Sequence, residues 1–169
     1  MLDYELLEKL LEKYSRWASI EHQLVEELAK RGVGELQALL EQAQEEELEV
    51  KSAHGIGEDN KSALLQKYSL IKGKLEQAIA EAFAIKHGIG ELEEETGARN
   101  LERKLEEVRI LEKEARKLPP KAATLATARL KQVEAKLAKA LADKMKEAEG
   151  EEEIAEKGAS LSSKLVKIG

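Results

Sequence analysis

Three stretches of the chain share one frame: Arg31-Gly32-Val33-Gly34-Glu35, His54-Gly55-Ile56-Gly57-Glu58 and His87-Gly88-Ile89-Gly90-Glu91. Each slot has a physical reason. The first glycine can take the positive φ that closes a helix, and the β-branched residue supplies the apolar contact that accompanies such an ending. The glutamate suits the positive end of the following helix. The frame therefore predicts helix, tight loop, helix at three places. Because arginine stands in the first copy where histidine stands in the other two, the slot does not require imidazole chemistry.

Working outward from these loops, apolar residues recur at three- and four-residue steps, and β-branched residues never gather into an alternating run. The pattern predicts a first helix over roughly 2–31 with Leu7, Leu10, Leu11, Tyr14, Trp17, Ala18, Leu24, Val25 and Leu28 on one side. A second spans about 35–54, a third 59–87 and a fourth 91–117. Leu118-Pro119-Pro120 stops the fourth, since proline removes a donor and restricts the residue before it. Pro120 then opens a fifth to about 149, and Gly150 separates a short sixth carrying Ile154, Leu161, Leu165 and Ile168. Short connections favour antiparallel neighbours. The expectation is an all-α, up-and-down antiparallel bundle of about six helices, a single domain over 1–169. Gly73 and Gly97 lie inside helical patterns, as kinks or as points of close packing, and Asn100 could cap a restart after Gly97.

Composition bounds the function. With 169 residues and 42% apolar content the chain can bury a core. Charged residues make up 37%, but Lys+Arg 28 against Asp+Glu 34 leaves a net charge of −6 with both signs interspersed. Without a basic stripe, neither nucleic acid nor an anionic membrane is an expected partner. The absence of cysteine removes disulfides, thiolate zinc sites and cysteine nucleophiles. No secretion signal or apolar span is visible, so a cytoplasmic protein is expected, with no partner required and a monomer sufficient. Asn60-Lys61-Ser62 matches a glycosylation triplet that means nothing without secretion.

The chain holds three histidines. A zinc site made of His22, His54 and His87 fails on distance, since the third helix would separate the last two by roughly 40 Å. His22 falls mid-helix beside Glu21, near the apolar stripe, as a half-exposed boundary pair. The functional alternative makes His22, with Glu21, Ser19 or Glu47, a general base or the axial ligand of a haem in the bundle core. A serine nucleophile at Ser19 lacks any visible oxyanion device. Lys72 beside the stripe is a candidate imine-forming amine, though a snorkelling lysine is commoner. No Glu-x-x-His pair and no phosphate-cradling loop is present. The small-residue run over 121–128 and a second over 158–163 suit close helix approach, with a ligand pocket as the alternative. Ile20, Leu48, Leu70 and Ile110 fall off the main stripes and are expected to fill second contact faces.

The three loops, together with surfaces such as Leu101-Glu102-Arg103-Lys104-Leu105-Glu106-Glu107, resemble computationally designed helical proteins, in which capping, charge balance and sparing methionine are imposed together. The likeness is one of style across the whole chain; Gly73, Gly97, Glu21 and His22 depart from it. It implies a structural scaffold with no natural catalytic activity, no catalytic or metal residue and no cofactor. The alternatives are a designed small-molecule, haem or metal site centred on His22, and a binding module using an exposed apolar face.

Overall fold

The computed structural model describes the backbone of residues 1–92 and 98–168, and the side-chain surroundings of 1–92 and 100–148. Among the described residues there are eight helices and no strand: α1 (Tyr4–Ser15), α2 (Ala18–His22), α3 (Val25–Ala29), α4 (Val33–Ser52), α5 (Glu58–Lys86), α6 (Ile89–Leu92), α7 (Ala98–Ala115) and α8 (Pro120–Ile168). Among the described residues, no helix is long and apolar enough to cross a membrane.

The repeated frame folds as the sequence implies. Gly32, Gly55, Gly57 and Gly88 all take positive φ. Ile56 and Ile89 are buried, and Val33 packs against the core. The second glycine matters only in the middle copy. There φ is +86°, and an added Cβ would meet Leu2 Cδ2 at 3.0 Å; Gly34 and Gly90 lie inside helices with open space around them.

The expected first helix is three. α1 begins at Asp3, whose side chain accepts from the Leu6 amide at 3.1 Å, and ends at Ser15; Gln23 and Leu24 are extended, with ψ of 146° and 149°. No glycine or proline marks these breaks. Ser15, Trp17, Ser19, Ile20 and His22 are all indifferent helix formers, and packing overrides weak propensity. The bends let Trp17, Ile20 and Leu28 all reach the interior, while Leu24, expected there, is exposed.

Gly73 and Gly150 both lie within unbroken helix. α5 runs for 29 residues straight through Gly73, where a Cβ would meet nothing within 4 Å. Gly73 is thus neither a kink nor a close-packing point. α8 continues as helix through Gly150 to Ile168, so the separate sixth helix does not form. Gly97 lies outside the described residues, and Asn100 sits inside α7 rather than capping it.

Two apolar clusters make the core. The first gathers Leu10, Trp17, Leu28, Leu36, Leu64 and Ile79 with their neighbours from α1 to α5, and takes in Ala122 of α8. The second gathers Phe83 and Ala84 of α5 with Ile89, Leu101, Val108 and Leu130 among others. Val33 and Leu118 pack against both. Direction follows from side-chain partners. Lys61 donates to the Ala53 carbonyl near the loop and Tyr68 to Glu46 further from it, so α4 and α5 run antiparallel. Glu81 meets Arg129 at 3.3 Å, while Glu76 and Lys121 line one cavity a turn or two earlier on both helices, so α5 and α8 run in the same direction. Ala122 and Ala126 are buried where α8 meets that core, the close approach expected of the small-residue run.

Of the four residues off the stripes, only Ile20 fills a contact face; Leu48, Leu70 and Ile110 are exposed. Leu11 and Ala18, expected inside, also face solvent, as do Leu125 and Met145 of α8.

Opposite outcomes are expected at two glycines. Gly73→Ala gains about 1 kcal/mol of helix propensity and raises the melting temperature by about 2–4 °C. Gly57→Ala is strained at positive φ and crowds Leu2, costing on the order of 1–3 kcal/mol. Thermal unfolding followed by circular dichroism measures both; equal shifts would contradict the roles given to the two residues.

Candidate functional site

Helix α4 carries two glutamates at positions its apolar stripe would give to hydrophobic residues. Ala43 and Val50 flank Glu46 and Glu47, and both carboxylates are buried. An isolated buried carboxylate is costly, so its partners decide whether it is tolerated. Glu46 has two. Trp17 Nε1 donates to its oxygens at 3.2 and 3.3 Å, and the Tyr68 hydroxyl donates to Oε1 at 3.1 Å. Burial, and then the neighbouring Glu46, push the Tyr68 phenol well above its ordinary value. The Tyr68 ring meets Tyr14 edge-on with centroids 5.2 Å apart, and Lys67 Nζ lies 5.2 Å from the Tyr14 ring centre.

Glu47 is held by cations. Lys72 Nζ lies 2.8 Å and Lys51 Nζ 3.2 Å from its oxygens. Burial alone would raise the Glu47 carboxyl, but the hydrogen bonds from Lys72 and Lys51 outweigh it and leave it below the ordinary range. Lys72, a candidate amine nucleophile on sequence grounds, is instead the ion-pair partner of Glu47. Glu46 is absent from the sequence expectation, and Glu47 enters it only as a partner for His22. The signal was available: a 3–4 stripe through Leu36, Leu40, Ala43 and Val50 skips an apolar residue where Glu46 and Glu47 stand.

His22 is exposed at the C-terminal end of α2 and not mid-helix. Among the described residues it hydrogen-bonds neither Ser19, which is also exposed, nor Glu47. Glu21 is exposed too, but it borders an open groove of about 470 Å³ with Tyr14, Val25, Leu70 and Gly73. Its carbonyl accepts from Lys74 Nζ at 2.6 Å. Burial and then the Glu21 charge and hydrogen bond raise the Tyr14 phenol. The structure thus joins Glu21 to Tyr14 and Lys74, and leaves His22 outside the groove.

His54 and His87 sit at opposite ends of the unbroken α5, about 40 Å apart. His87 packs against Phe83 with ring centres 4.5 Å apart; burial, then Lys86, lower its imidazole. Among the described residues no group of three or more His, Asp or Glu side chains could hold a metal ion.

Two further carboxyls are pushed above their ordinary range. Glu76 on α5 is buried, and burial raises its carboxyl despite Lys121 and Lys72 nearby. Glu112 on α7 faces Glu134 on α8, with Lys131 and Arg116 close by. Burial, then the hydrogen bond and charge of Glu134, raise its carboxyl, and its Oε1 is buried with no other partner. The small residues Ala123, Thr124, Thr127 and Ala128 border a shallow depression with Arg116 and Lys131. The second small-residue run, 158–163, has no described side chains.

Comparison with protein-family models, curated proteins and solved structures finds no match for this chain.

Glu46→Ala strands the Trp17 and Tyr68 donors and is expected to cost about 1–3 kcal/mol for each. Glu46→Gln, which still accepts, costs less; urea unfolding ranks them, and an equal cost would place the value of Glu46 in packing alone. A pH effect follows from the raised acids. Where the folded value lies above the unfolded one, stability is present at low pH and lost as pH rises through the folded value; Glu47, lowered, behaves oppositely and loses its contribution as pH falls. The double variant E76Q/E112Q should therefore melt above the parent at about pH 7.5, with the difference closing as pH falls toward about 5. A pH-independent difference would refute the assignment.

Proposed function

We propose that this chain is a structural helical scaffold without catalytic activity, of the kind its loops and surfaces resemble in computationally designed proteins. In this reading residues 1–169 form one unit, an up-and-down arrangement of antiparallel segments in which α1 to α3 together act as the first and α8 takes in the sixth expected helix. It works as a monomer in a reducing cytosol and needs no cofactor or nucleic acid.

One observation carries the proposal: Glu46 of α4 and Lys72 of α5, the groups best placed for base or amine chemistry, are committed to structure. The Glu46 carboxylate is saturated by Trp17 and Tyr68, and the Lys72 amine is bound to Glu47 at 2.8 Å. A nucleophilic amine must shed its proton, and an ion pair with a carboxylate opposes that. A general base must reach the proton that it takes, and Glu46 points at donors it already holds. His22, the one residue on which a cofactor site was centred, is exposed and does not line the groove that its neighbour Glu21 borders.

Titration with haem and with Zn²⁺, followed by absorbance and by the His22 ring signals, tests the proposal. Only weak, non-saturating changes are expected, the same in His22→Ala. A tight stoichiometric complex abolished by His22→Ala would replace the scaffold with a ligand-binding bundle.

A further inference from the structure

Glu76 stands apart from the other buried carboxylates. It is 8% exposed, yet among the described residues no donor hydrogen-bonds it and no cation pairs with it within 4 Å. Glu46 and Glu47, at 8% and 7%, are both satisfied. An unpaired buried carboxylate is a liability that a folded chain rarely keeps. Glu76 lines a cavity of about 350 Å³ between α5 and α8 with Gly73, Gln77, Lys121, Thr124 and Leu125.

The surroundings specify what could complete it. Gly73 leaves the floor open one turn from the carboxylate, since a Cβ there would meet nothing. Leu125 offers an apolar wall, 45% exposed. Lys72 is held on Glu47, and Lys121, exposed at the rim, does not close on Glu76. The Thr124 hydroxyl is turned to the Pro120 carbonyl at 3.0 Å. Burial without a partner keeps the carboxyl above its ordinary range, a demand that an incoming cation would relieve.

We propose that Glu76, with the cavity over Gly73 and beside Leu125, is a binding site for an organic ammonium or guanidinium group carried on a short apolar stem. The cation pairs with Glu76 and the stem lies along Leu125 and the bare backbone of Gly73. A buried, charge-assisted hydrogen bond gives direction, and the apolar wall gives area. The stem-borne cation is the chemistry of a free alkylamine and equally of a lysine or arginine side chain. This site goes beyond the scaffold reading and does not depend on it.

The test is an amide NMR titration of the full chain with hexylammonium, with neutral hexanol as control, and with a capped alanine–lysine peptide. Saturable shifts confined to residues near 73–77 and 121–125 are expected with hexylammonium and not with hexanol. Glu76→Gln, which removes a buried charge and keeps the fold, should weaken binding at least about tenfold. Gly73→Ala, filling the floor, should weaken it as well, while Glu81→Gln, whose parent carboxylate is paired with Arg129, should not. Tighter binding of the peptide than of hexylammonium assigns the site to a polypeptide side chain, and the reverse to a free amine. Equal binding of hexanol, or unchanged affinity in Glu76→Gln, overturns the proposal.

Discussion

Helix α5 has to be buried on more than one side at once, and the remaining helices are arranged to do it. Leu64, Tyr68, Ile71, Leu75, Ala78, Ile79 and Ala82 all enter the first apolar cluster, and Phe83 and Ala84 enter the second. These positions cover far more than the single stripe of a surface helix. A helix so apolar is stable only with neighbours on several faces, which α3 and α4 supply on one flank and α8 on another. Alanine at 78, 82, 122 and 126 lets those neighbours come close. The two clusters therefore share a spine, and Val33 at the start of α4 and Leu118 just before α8 seal the seam between them.

The price of enclosing α5 is that polar groups are trapped near it, and three outcomes are seen. Glu46 is neutralised by donors without charge, Trp17 and Tyr68. Glu47 is neutralised by charge, from Lys72 and Lys51. Glu76 meets no cation at pairing distance and burial raises its carboxyl, as burial and then Glu134 raise that of Glu112. Removing one partner from a satisfied pair leaves a stranded group, so these contacts specify one register of α4 on α5 more than they add net stability.

Much of this was legible in the residues. The three glycine-framed loops were readable because positive φ is a strong and local demand, and the apolar steps of α4, α5 and α7 were readable because each helix keeps one phase. The bends near Trp17 and Leu24 were not, since no residue there forbids a helix; burial of Trp17, Ile20 and Leu28 together selects them, and that is a tertiary fact. Gly150 misled in the opposite sense: a single glycine costs a helix about 1 kcal/mol and does not end it. Of the candidate site residues, Glu21 and His22 read as a mid-helix boundary pair, but α2 stops at His22 and the groove beside Glu21 forms only when α5 packs there. Glu76 was invisible because its isolation depends on where Lys121 of another helix comes to rest.

The indole of Trp17, bonded to Glu46 between α1 and α4, is the chain's one tryptophan. Its emission is consequently a witness to the first cluster alone, while the second, built on Phe83 and aliphatic side chains, is optically silent. Fluorescence thus interrogates the first cluster, whereas far-ultraviolet dichroism reports the helices of both. Whether their melting curves superimpose tells directly whether the shared α5 couples the two halves into a single cooperative transition.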